Sequence, residues 1–456
     1  MEIIGILLAL QFTIVVAYLL FKKYNPQAVL LFSGFLMLAL AAMIGFNMPP
    51  LKKDSGSALF NLFGYIEQSF SSKGAGVGLM IMTIGGFVSY MKKIGASDAL
   101  VYVSMQPLSM LKRFPYIAAS LVIPIGQLLF ITTPSATGLG LLLVASIFPV
   151  LVSLGVSRLS AVSVITACTV FDMGPASANT ARASELIGKS NVIYFIDNQL
   201  PLTIPLTISL MVLYYFINIY FDKKMGYKPE AIDYKEFKSK APLIYAVLPV
   251  LPLVMLVIFS KIFNFIHPPV LLDTTMAMLI TFFIAIIFEL VRTRGNVKNV
   301  FASVKIFWEG MGKVFTSVIT LIVCAEIFSK GLISLGLIDG LVNVSQYFGF
   351  ESIGLGIIMT IMIFAASVLM GSGNASFFSF GPLIPNIASK LGVEGVSMLL
   401  PMQLASSMGR ATSPISGVVI ATSEIAQVSP FDLAKRNLIP QLSVLLIMII
   451  YHFFIT

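Results

Sequence analysis

Long apolar runs separated by short polar stretches dominate the pattern of this chain. An α-helix needs about 20 predominantly apolar residues to cross a lipid bilayer. Runs of that length are typical of transmembrane helices, and the pattern predicts eight uninterrupted ones. They begin near Ile3, Ala28, Gly76, Leu200, Leu243, Val270, Lys313 and Leu438.

Two further apolar stretches are interrupted near their middle. The first covers about 115–155 and is broken at 132–135 by Thr-Thr-Pro-Ser. The second covers about 353–391 and is broken at 371–374 by Gly-Ser-Gly-Asn. We interpret each as a re-entrant hairpin, because irregular backbone at membrane depth is tolerated only where it is buried in protein or lines a cavity.

Two more stretches are interrupted differently. The runs at about 159–187 and 396–428 carry Gly-Pro or Gly-Arg together with Ser and Thr at their centres. They predict spanning helices that unwind at mid-depth and expose free backbone amides.

These interruptions recur in the same order, which indicates an internal duplication. The segment Ser135–Gly138 returns 237 positions later as Ser-Gly-Asn-Ala, and Met173–Ser177 returns 235 positions later as Met408–Thr412. We predict one repeat over 1–221 and a second over 242–456. Secondary transporters built from such repeats bind their substrate where broken helices of the two repeats meet.

Composition and charge place the chain in a membrane. Of its 456 residues, 57% are hydrophobic and 11% are charged, with a mean hydropathy of +0.96. The net charge of +9 comes mainly from loops between apolar runs, so it reports topology and predicts no nucleic-acid partner. Basic clusters mark the cytoplasmic side. This rule gives about ten spans with both termini outside, a cytoplasmic linker at 222–241, and repeats that are inverted relative to each other.

The polar residues at the interruptions are the candidates for ligand binding. A helix that restarts at mid-depth presents unpaired N–H groups and about half a positive charge, which attract anions. The candidates for substrate binding are Ser135, Thr137, Gly138, Ser177, Asn179, Ser372, Gly373, Asn374, Arg410, Thr412 and Ser413. The candidates for binding a coupling cation are Asp172, Thr180, Ser376 and Ser416. A single Ser or Thr in an apolar helix usually bonds to its own preceding turn, but recurrence in both halves favours a site.

Arg410 is the sharpest single candidate. An arginine at the membrane centre costs at least about 2.5–3.5 kcal/mol on insertion scales and usually marks a ligand pathway. Its guanidinium matches a carboxylate in a bidentate geometry. The alternative is a structural ion pair with Asp172. Asp172 itself is expected either to bind a coupling proton or sodium ion or to accept hydrogen bonds at a helix end.

No catalytic residue, metal site or other cofactor is predicted, since two cysteines and two histidines support neither a metal cluster nor a disulfide framework. Arg182, Glu185 and Glu424 follow the interruptions by a few turns and are expected to face an aqueous vestibule or to pair structurally.

Several motifs resemble those of the bacterial anaerobic four-carbon-dicarboxylate carriers, the DcuC branch. They cover nearly the whole chain in order: Met-Ile-Met at 80–82 with Gly-Gly-Phe at 85–87, Ser-Ala-Thr-Gly-Leu-Gly at 135–140, Gly-Ser-Gly-Asn-Ala at 371–375, and Gly-Arg at 409–410 followed by Ser-Pro-Ile-Ser-Gly-Val-Val at 413–419.

The resemblance implies an inner-membrane carrier for fumarate, succinate, malate or aspartate that works by exchange, efflux or cation-coupled uptake. It also implies a homodimer in the lipid bilayer, whose scaffold holds a mobile, elevator-type transport domain. The family pattern implies that Arg410 and Thr412 follow the second break, and that the residues at the hairpin tips are Ser135, Thr137, Ser372 and Asn374.

Three other function classes remain open from the sequence. One is a carrier of another organic anion or an amino acid on the same scaffold. Another is an intramembrane enzyme, but the sequence has no His-Glu-x-x-His motif. The third is an ion channel. An unpaired arginine fits a site that binds a solute better than it fits a continuous pore.

Overall fold

Helices account for all the regular secondary structure that is described. The computed structural model describes residues 2–106, 114–227, 241–259, 272–347 and 351–455, and no β-strand occurs within these ranges.

The first half contains ten helices over the described residues. They are α1 (Glu2–Phe21), α2 (Pro26–Ile44), α3 (Ala58–Lys93), α4 (Ala96–Met105), α5 (Pro115–Thr132), α6 (Ala136–Ser146), α7 (Phe148–Ser153), α8 (Arg158–Ala167), α9 (Ala178–Ile187) and α10 (Asn191–Lys224). A π-helical segment, Gly74–Gly78, lies inside α3.

The described part of the second half also contains ten. After a 3₁₀ turn at Leu243–Val247 come α11 (Leu251–Ile258), α12 (Thr274–Arg292), α13 (Val297–Ser334), α14 (Leu337–Tyr347), α15 (Glu351–Met370), α16 (Gly373–Phe380), α17 (Ile384–Leu391), α18 (Gly395–Ala411), α19 (Gly417–Ala426) and α20 (Pro430–Phe454). A π-helical segment, Phe315–Ile319, lies inside α13.

The order of elements in the first half recurs in the second. A long helix with a π-helical segment (α3, α13) leads to a short helix (α4, α14) and then to a helix pair interrupted at a serine (α5 and α6, α15 and α16). A short helix, a second interrupted pair and a long terminal helix complete both series. Ser135 and Ser372, which the sequence echo matched, stand at corresponding boundaries in the structure: each immediately precedes the second helix of its pair, α6 or α16.

The predicted all-helical, polytopic fold is confirmed. Nine helices in the described part of the chain are long and apolar enough to cross a membrane. Four predicted starting points were wrong: the runs placed at Gly76, Leu200, Lys313 and Leu438 belong to helices that begin at Ala58, Asn191, Val297 and Pro430. Polar residues early in these four helices hide their starts from a search for apolar runs. Most of the predicted linker at 222–241 lies outside the described residues.

Close backbone contact joins α2 to the second half of α13. A Cβ atom added to Gly34 would lie 2.5 Å from the backbone nitrogen of Phe328, and one added to Gly331 would lie 2.8 Å from Cβ of Met37. Small residues let transmembrane helices approach closely and gain van der Waals contact. The two glycines therefore set the distance between these helices.

We expect Gly34→Ala to destabilise the protein by about 1–3 kcal/mol, because the added methyl group must push α2 away from the α13 backbone. The apparent melting temperature in detergent measures this change. Gly312→Ala is the matched control, since nothing lies within 4 Å of a Cβ added there. Replacing this helical glycine by alanine should stabilise the protein by roughly 0.5–1 kcal/mol. Equal melting temperatures for the two variants would contradict this account of the contact.

Candidate functional site

In each half, the helix that restarts after the first interruption, α6 or α16, begins with a serine cap. The Ser135 hydroxyl accepts a hydrogen bond from the backbone N–H of Gly138 at 3.2 Å, and Ser372 accepts one from Ala375 at 3.2 Å. These serines fix the first turns of α6 and α16, because a side-chain acceptor satisfies one of the free N–H groups of a helix start.

In each half the second helix of the second interrupted pair also has a serine at its N-cap position, although only Ser177 makes a capping hydrogen bond, and these serines are not at the positions that the sequence echo matched. Ser177 caps α9 by accepting from Asn179 and Thr180, and Ser416 stands at the N-cap of α19. These two residues are 239 positions apart, whereas the echo at 235 paired Ser177 with Thr412. That alignment was wrong because α8 already ends at Ala167, so that Gly174, at φ +100°, and Pro175 lie inside the first break, while α18 continues helically through Arg410 to Ala411.

The prediction that Arg410 follows the second break was therefore also wrong. Arg410 lies in the last helical turn before the break. A cation there interacts favourably with the partial negative charge of a helix C-terminus.

The interruptions of the two halves lie against one another. A Cβ added to Gly417, at the start of α19, would lie 3.5 Å from Oγ1 of Thr137 at the start of α6. A Cβ added to Gly373, at the start of α16, would lie 2.9 Å from the carbonyl oxygen of Ser406 in α18. The first contact joins the two halves, and the second joins the two interrupted pairs of the second half. Glycine permits the close approach at both points.

A cavity of about 500 Å³ lies where these segments meet. Eight of the predicted residues line it: Ser135, Thr137, Asp172, Ser372, Gly373, Asn374, Arg410 and Ser416. Another part of the lining comes from α3 and α13, where apolar side chains alternate with Ser89, Lys313 and Ser317. The sequence reasoning missed these three, since Lys313 looked like the boundary of an apolar run and the two serines lack partners in a repeated motif.

The other predicted residues do not line this cavity. They are Gly138, Ser177, Asn179, Thr180, Ser376, Thr412 and Ser413. The Ser376 hydroxyl donates to the carbonyl of Gly373 and the Thr412 hydroxyl donates to that of Gly409, each at 2.9 Å. Both satisfy their own helix ends, as single hydroxyls in apolar helices commonly do.

Asp172 lies in the first break with two buried donors fixing its carboxylate. The Ser177 hydroxyl donates to Oδ1 at 2.6 Å, and the Asn179 amide donates to Oδ2 at 3.2 Å. Both donors lie at the start of α9, so this carboxylate accepts hydrogen bonds at a helix end. The coupling hypothesis and the helix-end hypothesis are thus compatible, because Asp172 also lines the cavity.

Arg410 bridges the two breaks. Its Nη2 donates to the carbonyl oxygen of Thr169 at 2.6 Å, and its Nη1 lies 3.7 Å from Oδ2 of Asp172. The contact with Asp172 is a long ion pair rather than a bidentate one, so the planar guanidinium keeps donors that can bind a ligand. Arg410 is 11% exposed, enough for its edge to reach the cavity.

A separate cluster of charges joins α9 to the neighbouring long helices. Arg182, fully buried, contacts Glu185 at 2.5 Å and Glu326 at 2.6 Å. Lys73 at the end of the first part of α3 contacts Glu185 at 2.7 Å and Glu326 at 3.8 Å. Two cations thus balance two carboxylates, and Arg182 and Glu185 pair structurally, one of the two arrangements that the sequence allowed.

Comparison with known proteins decides the family. Residues 4–456 match the family described as DcuC: C4-dicarboxylate anaerobic carrier. The chain belongs to the DcuC family. A relative from Vibrio cholerae named probable anaerobic C4-dicarboxylate transporter DcuC is 35% identical, over 98% of this chain and 96% of that protein. The anaerobic C4-dicarboxylate transporter DcuC of Escherichia coli K12 is 33% identical, over 98% of this chain and 96% of the relative.

Solved structures share the fold of this DcuC-family chain. The Alcanivorax borkumensis YdaH transporter aligns with a TM-score of 0.61 at 14% identity, over 94% of this chain and 98% of its own. Neisseria gonorrhoeae MtrF aligns with a TM-score of 0.63 at 11% identity, over 94% and 95%. These structures show the fold. Membership of the DcuC family shows that the chain is a multi-pass membrane transporter, and its function is transport rather than catalysis.

Proposed function

We propose that this protein moves four-carbon dicarboxylates across the bacterial inner membrane. Fumarate, succinate and malate are the substrates that we expect, with aspartate as a further one. The observation that carries the proposal is the cavity in which Arg410 and the capped starts of α6 and α16 meet. Backbone N–H groups at helix starts and a guanidinium are the groups that bind carboxylates.

The proposed site for one carboxylate consists of Ser135, Thr137, Asn374 and Arg410. The two tip residues, Thr137 and Asn374, lie in the first turns of α6 and α16 and line the cavity. Their side chains add donors next to the free amides of those turns. Ser372 and Gly373 line the cavity beside them. The segments are supported, or their turns completed, by Gly138, Ser177, Asn179, Thr412 and Ser413.

We propose Asp172 as the group that couples transport to a proton or a sodium ion. The charged residues lining the cavity are two cations, Lys313 and Arg410, and the single carboxylate of Asp172. A doubly negative substrate neutralises the two cations, so a proton or sodium ion on Asp172 would leave the loaded cavity neutral. Neutrality favours movement through lipid, since uncompensated charge there is costly. Thr180, Ser376 and Ser416 are the further oxygen donors proposed for a cation.

We propose the remaining architecture from the family resemblance and the basic clusters, and the recurring element order supports it. The two halves are inverted repeats, α5 with α6 and α15 with α16 are re-entrant hairpins, and both termini lie outside the cytoplasm. The interrupted helices form a transport domain that moves in an elevator-type motion against a scaffold in a homodimer. A carrier with this design alternates access to one site rather than opening a continuous pore.

Counterflow in liposomes tests this function. Purified protein in liposomes preloaded with succinate should take up labelled fumarate faster and to a higher peak than protein in empty liposomes. An inward proton gradient or external sodium should change the rate if Asp172 is coupled. Stronger competition by citrate, short-chain monocarboxylates or basic amino acids than by succinate would instead identify another organic anion or an amino acid as the substrate.

A further inference from the structure

One charged residue of the cavity lies outside every interrupted segment. Lys313 lies on α13, immediately before its π-helical segment Phe315–Ile319. It lines the same cavity as Arg410, on the wall formed by α3 and α13. The cavity therefore has one cation on each of two walls that belong to different sets of helices.

Lys313 has no anionic partner in the described part of the protein. The single carboxylate in the cavity lining, Asp172, lies next to Arg410 and accepts hydrogen bonds from Ser177 and Asn179. Two other lysines of these long helices, on α13 and α3, have carboxylate partners: Lys305 lies 3.4 Å from Glu309, and Lys73 lies 2.7 Å from Glu185. Lys313 is exposed, so its ammonium group is accessible to a ligand that enters the cavity. An ionisable residue on a transmembrane helix that faces such a cavity marks an ion or substrate pathway.

The wall that holds Lys313 is closely packed beside it. A Cβ added to Gly310 would lie 2.5 Å from Oγ of Ser89 and 2.8 Å from the carbonyl oxygen of Gly85, so α13 contacts α3 directly there. The carbonyl oxygen of Lys313 also accepts hydrogen bonds from the hydroxyls of Ser317, at 2.8 Å, and Thr316, at 3.0 Å. This segment is tied locally, and the flexible lysine side chain extends from a fixed backbone.

We propose that Lys313 binds the second carboxylate of the substrate and thereby selects dicarboxylates over monocarboxylates. The inference rests on the proposed function and adds to it a residue that determines specificity. Arg410 and the starts of α6 and α16 bind one end of the four-carbon chain, and Lys313 binds the other end across the cavity. A monocarboxylate of the same length can pair with only one of the two cations, Arg410 or Lys313, and leaves the other cation unpaired.

Lys313→Met tests the proposal, because methionine keeps the length of an unbranched chain and removes the charge. We expect the KM for succinate in liposomes to rise about 10-fold, the size of effect that loss of one hydrogen bond to a charged group gives. The inhibition constant of butyrate, which has four carbons and one carboxylate, should stay within about twofold, because butyrate does not use Lys313. Lys313→Arg, which keeps the charge, should retain most of the succinate affinity.

Lys305→Met is the matched control, since Lys305 lies on the same helix, is 79% exposed and does not line the cavity. An unchanged KM for succinate in Lys313→Met would overturn the proposal, as would an equal loss of affinity for succinate and butyrate. If Lys313→Met lowered the melting temperature and abolished both succinate uptake and inhibition by butyrate, Lys313 would have a structural role, and the proposal would be overturned as well. Failure of the wild-type protein to show succinate counterflow would instead refute the proposed function itself.

Discussion

Arg410→Lys should raise the KM for succinate about 100-fold, which corresponds to nearly 3 kcal/mol of binding free energy. Lysine keeps the positive charge but is a point donor without the planar fork of arginine. In the structure one arm of that fork donates to the carbonyl oxygen of Thr169, and the other lies 3.7 Å from Asp172. A lysine can maintain only one of these contacts and so loses the orientation that presents donors to a carboxylate.

The measurement is initial uptake of labelled succinate into liposomes over a range of concentrations. Arg294→Lys is the matched control, because Arg294 is exposed in the loop between α12 and α13. Wild-type kinetics in Arg410→Lys would remove Arg410 from the substrate site. A fall in melting temperature with an unchanged KM would leave only the structural alternative, in which Arg410 ties the two breaks together.

Arg182→Met should lower the free energy of unfolding by about 3–5 kcal/mol, the range found when one partner of a buried ion pair is removed. Arg182 is fully buried and contacts Glu185 and Glu326 at 2.5 and 2.6 Å. Without it, the two carboxylates keep only Lys73, which lies 3.8 Å from Glu326, and the more weakly interacting Lys330 as compensating cations. This makes Arg182 the largest single electrostatic contribution that we expect between α9 and α13.

Thermal unfolding in detergent measures this effect, with Lys305→Met as the exposed control. The double variant Arg182→Met with Glu326→Gln should recover part of the loss, because the uncompensated carboxylate is then removed. Such a double-mutant cycle isolates the coupling between the two residues. A melting temperature within the range of the control, or a double variant no more stable than Arg182→Met, would contradict the account.

Most of the site could be predicted because its chemistry is concentrated where helices are interrupted. Small polar residues inside apolar runs are conspicuous, so Ser135, Thr137, Ser372 and Asn374 are recognisable from the sequence, and the structure brings all four to one cavity. Arg410 is conspicuous for the same reason. The exact extent of each break cannot be recognised in this way. The first break covers the ten residues between Ala167 and Ala178, with Gly174 and Pro175 inside it, whereas the second break spans only 412–416.

The part of the cavity lining that α3 and α13 form could not be predicted from interruptions in apolar runs. Ser89, Lys313 and Ser317 lie on continuous helices, and nothing in their immediate sequence distinguishes them from residues in loops or facing lipid. Likewise, Glu326 is separated from Arg182 by 144 positions, and only the packing of α13 against the start of α9 makes them partners.

The sequence alone determined that this chain is a helical membrane protein with duplicated interruptions, because hydropathy and local breaks are properties of neighbouring residues. Its motifs also indicated the family. The tertiary structure decided which interruptions share a cavity, which polar residues line it and which satisfy their own helix ends, and which charges pair. Those outcomes depend on contacts between residues that are far apart in the chain, and such contacts are set by how helices pack rather than by local pattern.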